Sequence, residues 1–162
     1  MKKMLVASIL PVVASMMIAP VAAQAAAPYK PVVAPAAQAL VESIVAQNHD
    51  ITLLGVHTMV PGTKDNVIVA CNDHGRLGKP SSKGDMALIG KPKIVVAKLP
   101  AKKVYEVSMS LSDAQGKAVG MFVDQMDINA ISNEGEAVNR ALKIQAELQH
   151  GIASEEAMFA GS

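Results

Sequence analysis

Apolar and polar residues follow two different periods along this chain, and the change from one to the other marks its elements. Ala37, Leu40, Val41, Ile44 and Val45 recur at the spacing of one helical face, with Gln38, Glu42 and Gln47 opposite. The spacing predicts an amphipathic helix that begins after Pro35 and ends near Asn48-His49-Asp50. Residues 52–60 are rich instead in β-branched and apolar types, PGTKDN over 61–66 carries turn chemistry, and 67–71 resume the apolar run. That order predicts a β-hairpin. A short segment over 85–90 leads to a third strand over 93–99 and a fourth over 104–111. The fourth has the cleanest pattern: Tyr105, Val107, Met109 and Leu111 alternate with Glu106, Ser108 and Ser110, so one face is buried and one is wet. SDAQGK over 112–117 reads as a turn with Gly116 in the left-handed position, pairing the fourth strand with a fifth over 118–126. Last, Ala137, Ala141, Ile144 and Leu148 form a helical stripe within 133–150, with Gly151 as the expected stop.

Helix, two strands, a loop with a short helix, three strands and a helix make an α+β domain. Hairpin connections imply a five-stranded antiparallel sheet, and the N- and C-terminal helices are placed to cover one of its faces. No internal repeat of solenoid length is visible.

The first 25 residues lie outside this pattern. A lysine pair, an apolar run and small residues ending in Ala23-Gln24-Ala25 read as a signal peptide cleaved after Ala25. Pro11 and Pro20 argue against a stable spanning helix there, and no second apolar run of spanning length follows. The expected address is the bacterial periplasm. Residues 26–36, with Pro28, Pro31 and Pro35, read as an extended lead-in. The domain is expected over 37–150, and 151–162 as a C-terminal tail. Cleavage removes Lys2 and Lys3, turning the formal charge from +1 to −1 and leaving no basic surface for nucleic acid. One cysteine cannot form an internal disulfide, and the apolar residues before Cys71 point to its burial.

Chemistry concentrates in 71–85, CNDHGRLGKPSSKGD. Cys71 and His74 are two metal ligands where structural zinc needs four, so neither a metal nor another cofactor is expected. Cys71, His74 and Asp73 resemble a nucleophile, base and orienter, but residues this close in sequence rarely reach that geometry, and no other catalytic motif is present. Charge is more informative. Lys79 to Lys103 holds seven lysines and the single acid Asp85, while Asp124 to Glu156 holds seven acids against Arg140 and Lys143. Lysines commonly guard sheet edges, and here they would also concentrate a small anion. Arg76, able to grip a carboxylate through two parallel bonds, is the expected anchor. Tyr105 offers a hydroxyl, and Asp73, His74 and His57 complete the set of candidate ligand-binding residues. Lysines such as Lys102 are expected only to steer. Two Tyr, two Phe and no Trp suit a small polar or anionic ligand better than an aromatic one.

The stretches VIVACNDHGRLGKPSSKGD and YEVSMSLSDAQGKAVGMFV resemble the single Cache domains of bacterial extracytoplasmic sensors. The resemblance spans about 37–150 and implies a PAS-like or profilin-like sheet. It places Asn72 and Asp73 just after a strand, Gly78 and Lys79 in a loop that walls a ligand pocket, and Asp113 with Gly116 in a hairpin turn. Such domains usually sit between two membrane helices. Here the signal peptide and the end of the chain 12 residues after His150 suggest a free-standing, non-catalytic periplasmic module for a small ligand, an organic acid being the suggested class, working with a membrane sensor protein. The alternative is a structural or partner-binding periplasmic protein without a small-molecule ligand.

Overall fold

The computed structural model describes Tyr29 and residues 32–161, so the export segment expected over 1–25 lies outside the described residues. Helix α1, Pro35–Gln47, starts at a proline, whose fixed φ and missing N–H suit a first turn. Asn48 closes its other end by donating from Nδ2 to the Ile44 carbonyl at 2.8 Å. Ala34 is buried and Val32 packs against the core, so the lead-in joins the domain before residue 37.

Five strands follow: β1 (Ile51–Met59), β2 (Asn66–Cys71), β3 (Ile94–Leu99), β4 (Val104–Ser112) and β5 (Ala118–Asp127). They form one sheet in the order β2-β1-β5-β4-β3, with every pair antiparallel. The short α2 (Lys83–Met86) lies between β2 and β3, and α3 (Glu134–Gly151) follows β5. The expected fold class is therefore the observed one. Ala37, Val41 and Ile44 of α1 and Ala137, Ala141, Ile144 and Leu148 of α3 share a buried cluster with Tyr105, Val107, Met109, Leu111 and Phe122. Both long helices thus cover the same sheet face, the one that the alternation in β4 marks as apolar.

Two local features shape the strands of this sheet. Gly116 takes φ 80, and the buried Asp113 holds the turn by accepting from the Gln115 and Lys117 N–H groups at 3.0 and 2.9 Å. In β2 the register shifts between Val56↔Ala70 and His57↔Ile68, leaving Val69 as the extra residue of a bulge. Val69 and Ala70 consequently both join the helix-side core, while Ile68 and Cys71 pack with Leu53 and Leu77 on the opposite face.

Gly151 works differently from the expected helix stop. It is the last residue of α3 without a positive φ, and a Cβ there would lie 2.7 Å from both Leu40 methyls, so glycine lets α3 close against α1. The residues beyond it, expected as a tail, are packed. Ile152 and Met158 are buried, and the Ile152 carbonyl accepts from the Ala114 N–H at 2.8 Å. Among the described residues no helix is long and apolar enough to cross a membrane.

Candidate functional site

The second face of the sheet is crossed by the chain between β2 and β3. After β2, Asp73 caps a 3-10 turn over His74–Arg76, accepting from the Gly75 N–H at 3.2 Å. The chain then runs back along the edge, where Pro80 bridges to Val67. Ser82 and Asp85 form a capping box at the start of α2, and Leu88 is buried beyond it. The Gly90 N–H finally reaches the Ser110 hydroxyl of β4 at 2.8 Å. This crossing covers one end of the face and leaves a cleft in two adjoining chambers, of about 230 and 530 Å³. Leu53, Arg76, Lys102 and Gln125 line both.

In the inner chamber, His57 and Gln125 are each only 6% exposed. Burial pushes the His57 imidazole down to about 4, so it is neutral at physiological pH. The Ser81 hydroxyl donates to Asn66 Oδ1 at 2.6 Å and contacts His57 Nδ1 at 2.9 Å, so Nδ1 carries the proton and Nε2 remains an acceptor. Gln125 donates to Glu106 Oε2 at 2.6 Å from the neighbouring strand. Arg76 spends its Nε on Asp73 Oδ2 at 2.9 Å.

The acids around the cleft already have partners: Asp73 has Arg76 and Gly75, Asp85 the Ser82 N–H, Glu106 Gln125, and Asp127 the backbone and side chain of Asn129. The side-chain ammonium groups of Lys79, Lys102 and Lys103 have no ion-pair or hydrogen-bond partner among the described residues. The charged groups left to meet a ligand are cationic.

Of the five expected binding residues, the structure brings Arg76, His57 and Asp73 to the cleft. Tyr105 is on the opposite side of the sheet, 3% exposed in the helix-covered core, with Lys98 Nζ 5.5 Å above its ring centroid. Its hydroxyl therefore cannot share a ligand with Arg76: the apolar face of β4 is the helix face, whereas the 71–85 loop folds over the other one. His74 turns away towards α1, 3.1 Å from Glu42 Oε1 and 3.2 Å from Gln38 Nε2. Gln125, Glu106, Ser108 and Lys103 line the cleft without standing out in the sequence, and Lys102 is a wall residue rather than a remote steering charge. The overlooked signal is the polar pair Asp124-Gln125 inside an otherwise apolar strand.

Cys71 is fully buried, and that burial raises its thiol pKa, so it stays protonated and is a poor nucleophile. We expect a thiol reagent to label it slowly in the native protein and promptly in denaturant; comparable rates would contradict this placement. Among the described residues no group of three or more His, Cys, Asp or Glu could hold a metal.

Asp124 occupies the helix-covered face behind the cleft, opposite Leu54 and Val107, and neither carboxyl oxygen has a hydrogen-bond partner among the described residues. Burial, reinforced by Asp50 and opposed by Arg140, raises its pKa to about 7. Arg140 of α3 is engaged elsewhere, gripping Asp50 through Nε at 3.0 Å and again through Nη2.

No family model matches the chain, and no curated protein matches it. Several solved structures share part of its backbone course. A protein assigned as a GAF sensor from Burkholderia vietnamiensis aligns with a TM-score of 0.49 at 16% identity, over 75% of this chain and 76% of that one. The repressor BlcR of Agrobacterium tumefaciens aligns with a TM-score of 0.41 at 15% identity, over 73% and 67%. The type II free methionine-R-sulfoxide reductase of Thermoplasma acidophilum aligns with a TM-score of 0.41 at 19% identity, over 71% and 90%. At these values the likenesses say nothing about chemistry.

Proposed function

We propose that the protein binds a small polar or anionic molecule in the cleft on the open sheet face and acts as a binding or sensory module, without chemistry of its own. One observation carries this reading: the acids of the cleft have partners within the fold, while the ammonium groups of Lys79, Lys102 and Lys103 have none among the described residues. Arg76 adds a guanidinium whose terminal nitrogens are not engaged by Asp73. Such groups hold a carboxylate most strongly where water is partly excluded, and the buried His57 and Gln125 mark that part of the floor. The resemblance to single Cache domains and the export-type N-terminus support a periplasmic setting, with a membrane sensor protein as the receiver of the signal.

A second reading, a partner-binding protein without a small ligand, has the outer edge of the sheet in its favour. There Ile94 and Val95 of β3 are each 40% exposed.

A thermal-shift screen against organic acids separates the two, since a ligand that binds only the folded state raises the melting temperature. We expect at least one acid to produce a shift that Arg76→Ala abolishes, a hydrogen bond to a charged group being worth roughly 1.5–3 kcal/mol. No shift with any acid would favour the partner-binding reading.

A further inference from the structure

We infer that the ligand of this cleft carries two separated anionic groups, as a linear dicarboxylate does, and that Lys103 reads the second of them. The inference rests on the binding function proposed above and concerns what the outer chamber adds to it.

Among the described residues, Lys103 is the only non-glycine with a positive φ, at 56. A side chain disfavours that conformation and glycine does not, so a residue chosen only to turn the chain here would be glycine. The conformation is held from both sides. The Lys103 N–H donates to the Pro100 carbonyl at 3.1 Å, and its own carbonyl accepts from the Ile128 N–H at 2.9 Å. The turn leads from β3 into β4 with Lys102 and Lys103 both on the wall of the outer chamber.

Arg76 reaches the same chamber from the other side, since it follows the edge strand β2 while the lysine pair precedes β4. Between these two cationic positions lie β1 and β5, which supply Thr52, Leu53 and Gln125 to the floor. The span from β2 to β4 is three interstrand spacings, roughly 14 Å before the side chains reach inward. A compact phosphate needs donors that converge on one point. Two positions facing each other across a floor suit a ligand charged at both ends, each carboxylate taking its own cation.

Calorimetric titration of the purified protein with succinate, glutarate and adipate, and with butyrate and inorganic phosphate, tests this. One diacid length should bind about tenfold or more tightly than butyrate, the effect of one added charge-assisted contact. Lys103→Met should collapse that ratio towards one. Lys103→Gly should do the same while leaving the melting temperature unchanged or raised, showing that the ammonium rather than the turn was lost. Lys64→Met, in the β1–β2 turn, should preserve the ratio. Equal binding of diacids and butyrate, a Lys103→Gly variant that keeps the diacid preference, or phosphate binding more tightly than every diacid would overturn the inference. If butyrate binding depends on Arg76 and no diacid is preferred, the binding function stands and this inference falls alone. If no anion binds, both fall.

Discussion

Gly120→Ala is expected to be the most damaging single-methyl substitution in this fold. Gly120 lies in β5 opposite Leu111 of β4, and a Cβ at this position would stand 2.1 Å from the His57 carbonyl oxygen and 3.3 Å from Thr58 Cβ. A side chain could rotate away, but the first obstacle is backbone belonging to the central β1–β5 pairing. Relief requires the two strands to move apart, loosening Thr58, whose hydroxyl donates to the Val119 carbonyl. Overpacking of this kind costs about 3 kcal/mol, a large share of the 5–15 kcal/mol typical of a domain. In urea the unfolding midpoint should fall by about 1–2 M. An unchanged midpoint would mean that β5 can shift aside at no cost, contrary to its place at the centre of the sheet.

Asp124→Asn is expected to remove a pH dependence from the protein's stability. With its folded-state pKa raised to about 7, against about 3.9 for an unperturbed aspartate, Asp124 holds its proton more tightly folded than unfolded. Its contribution is therefore fully present below about pH 4 and is lost as pH rises to about 7, because above that the carboxylate must be ionised in the core. The resulting penalty at pH 8 is on the order of 4 kcal/mol. Asparagine never ionises, although its buried amide still lacks partners, which costs about 1–3 kcal/mol at every pH. The diagnostic quantity is thus the difference between the two proteins: near pH 4 the variant is equal or less stable, and by pH 8 it is the more stable. Denaturation curves that run parallel across this range would show that Asp124 finds a partner or water when ionised.

The period of each segment was enough to place the elements. Ala137, Ala141, Ile144 and Leu148 are all buried in α3, and Tyr105, Val107, Met109 and Leu111 face the helices, because burial on one side leaves a direct trace in residue order. What residue order does not carry is contact between distant parts. Gly151 looks like a helix stop by position, yet its role is set by Leu40, which is remote in sequence. The bulge at Val69 reassigns faces within β2, and nothing in VIVAC announces it. The same limit governs the site. Arg76 stands out by its chemistry, but which sheet face its loop covers depends on a crossing that ends on Ser110, so residue order alone does not show that Tyr105 lies on the opposite side of the sheet. Gln125 and Glu106 meet only because two strands lie in register.

The place of Tyr105 has a practical side. The protein has no tryptophan, and its other tyrosine, Tyr29, lies before α1 and is 41% exposed, which makes Tyr105 the fluorophore inside the fold. With Lys98 of the outermost strand above its ring, its ultraviolet emission should respond when β3 peels away from β4. A molecule entering the cleft meets the far side of the sheet and leaves that emission nearly untouched. Fraying of the edge and occupancy of the cleft can thus be followed separately in one sample, without an added label.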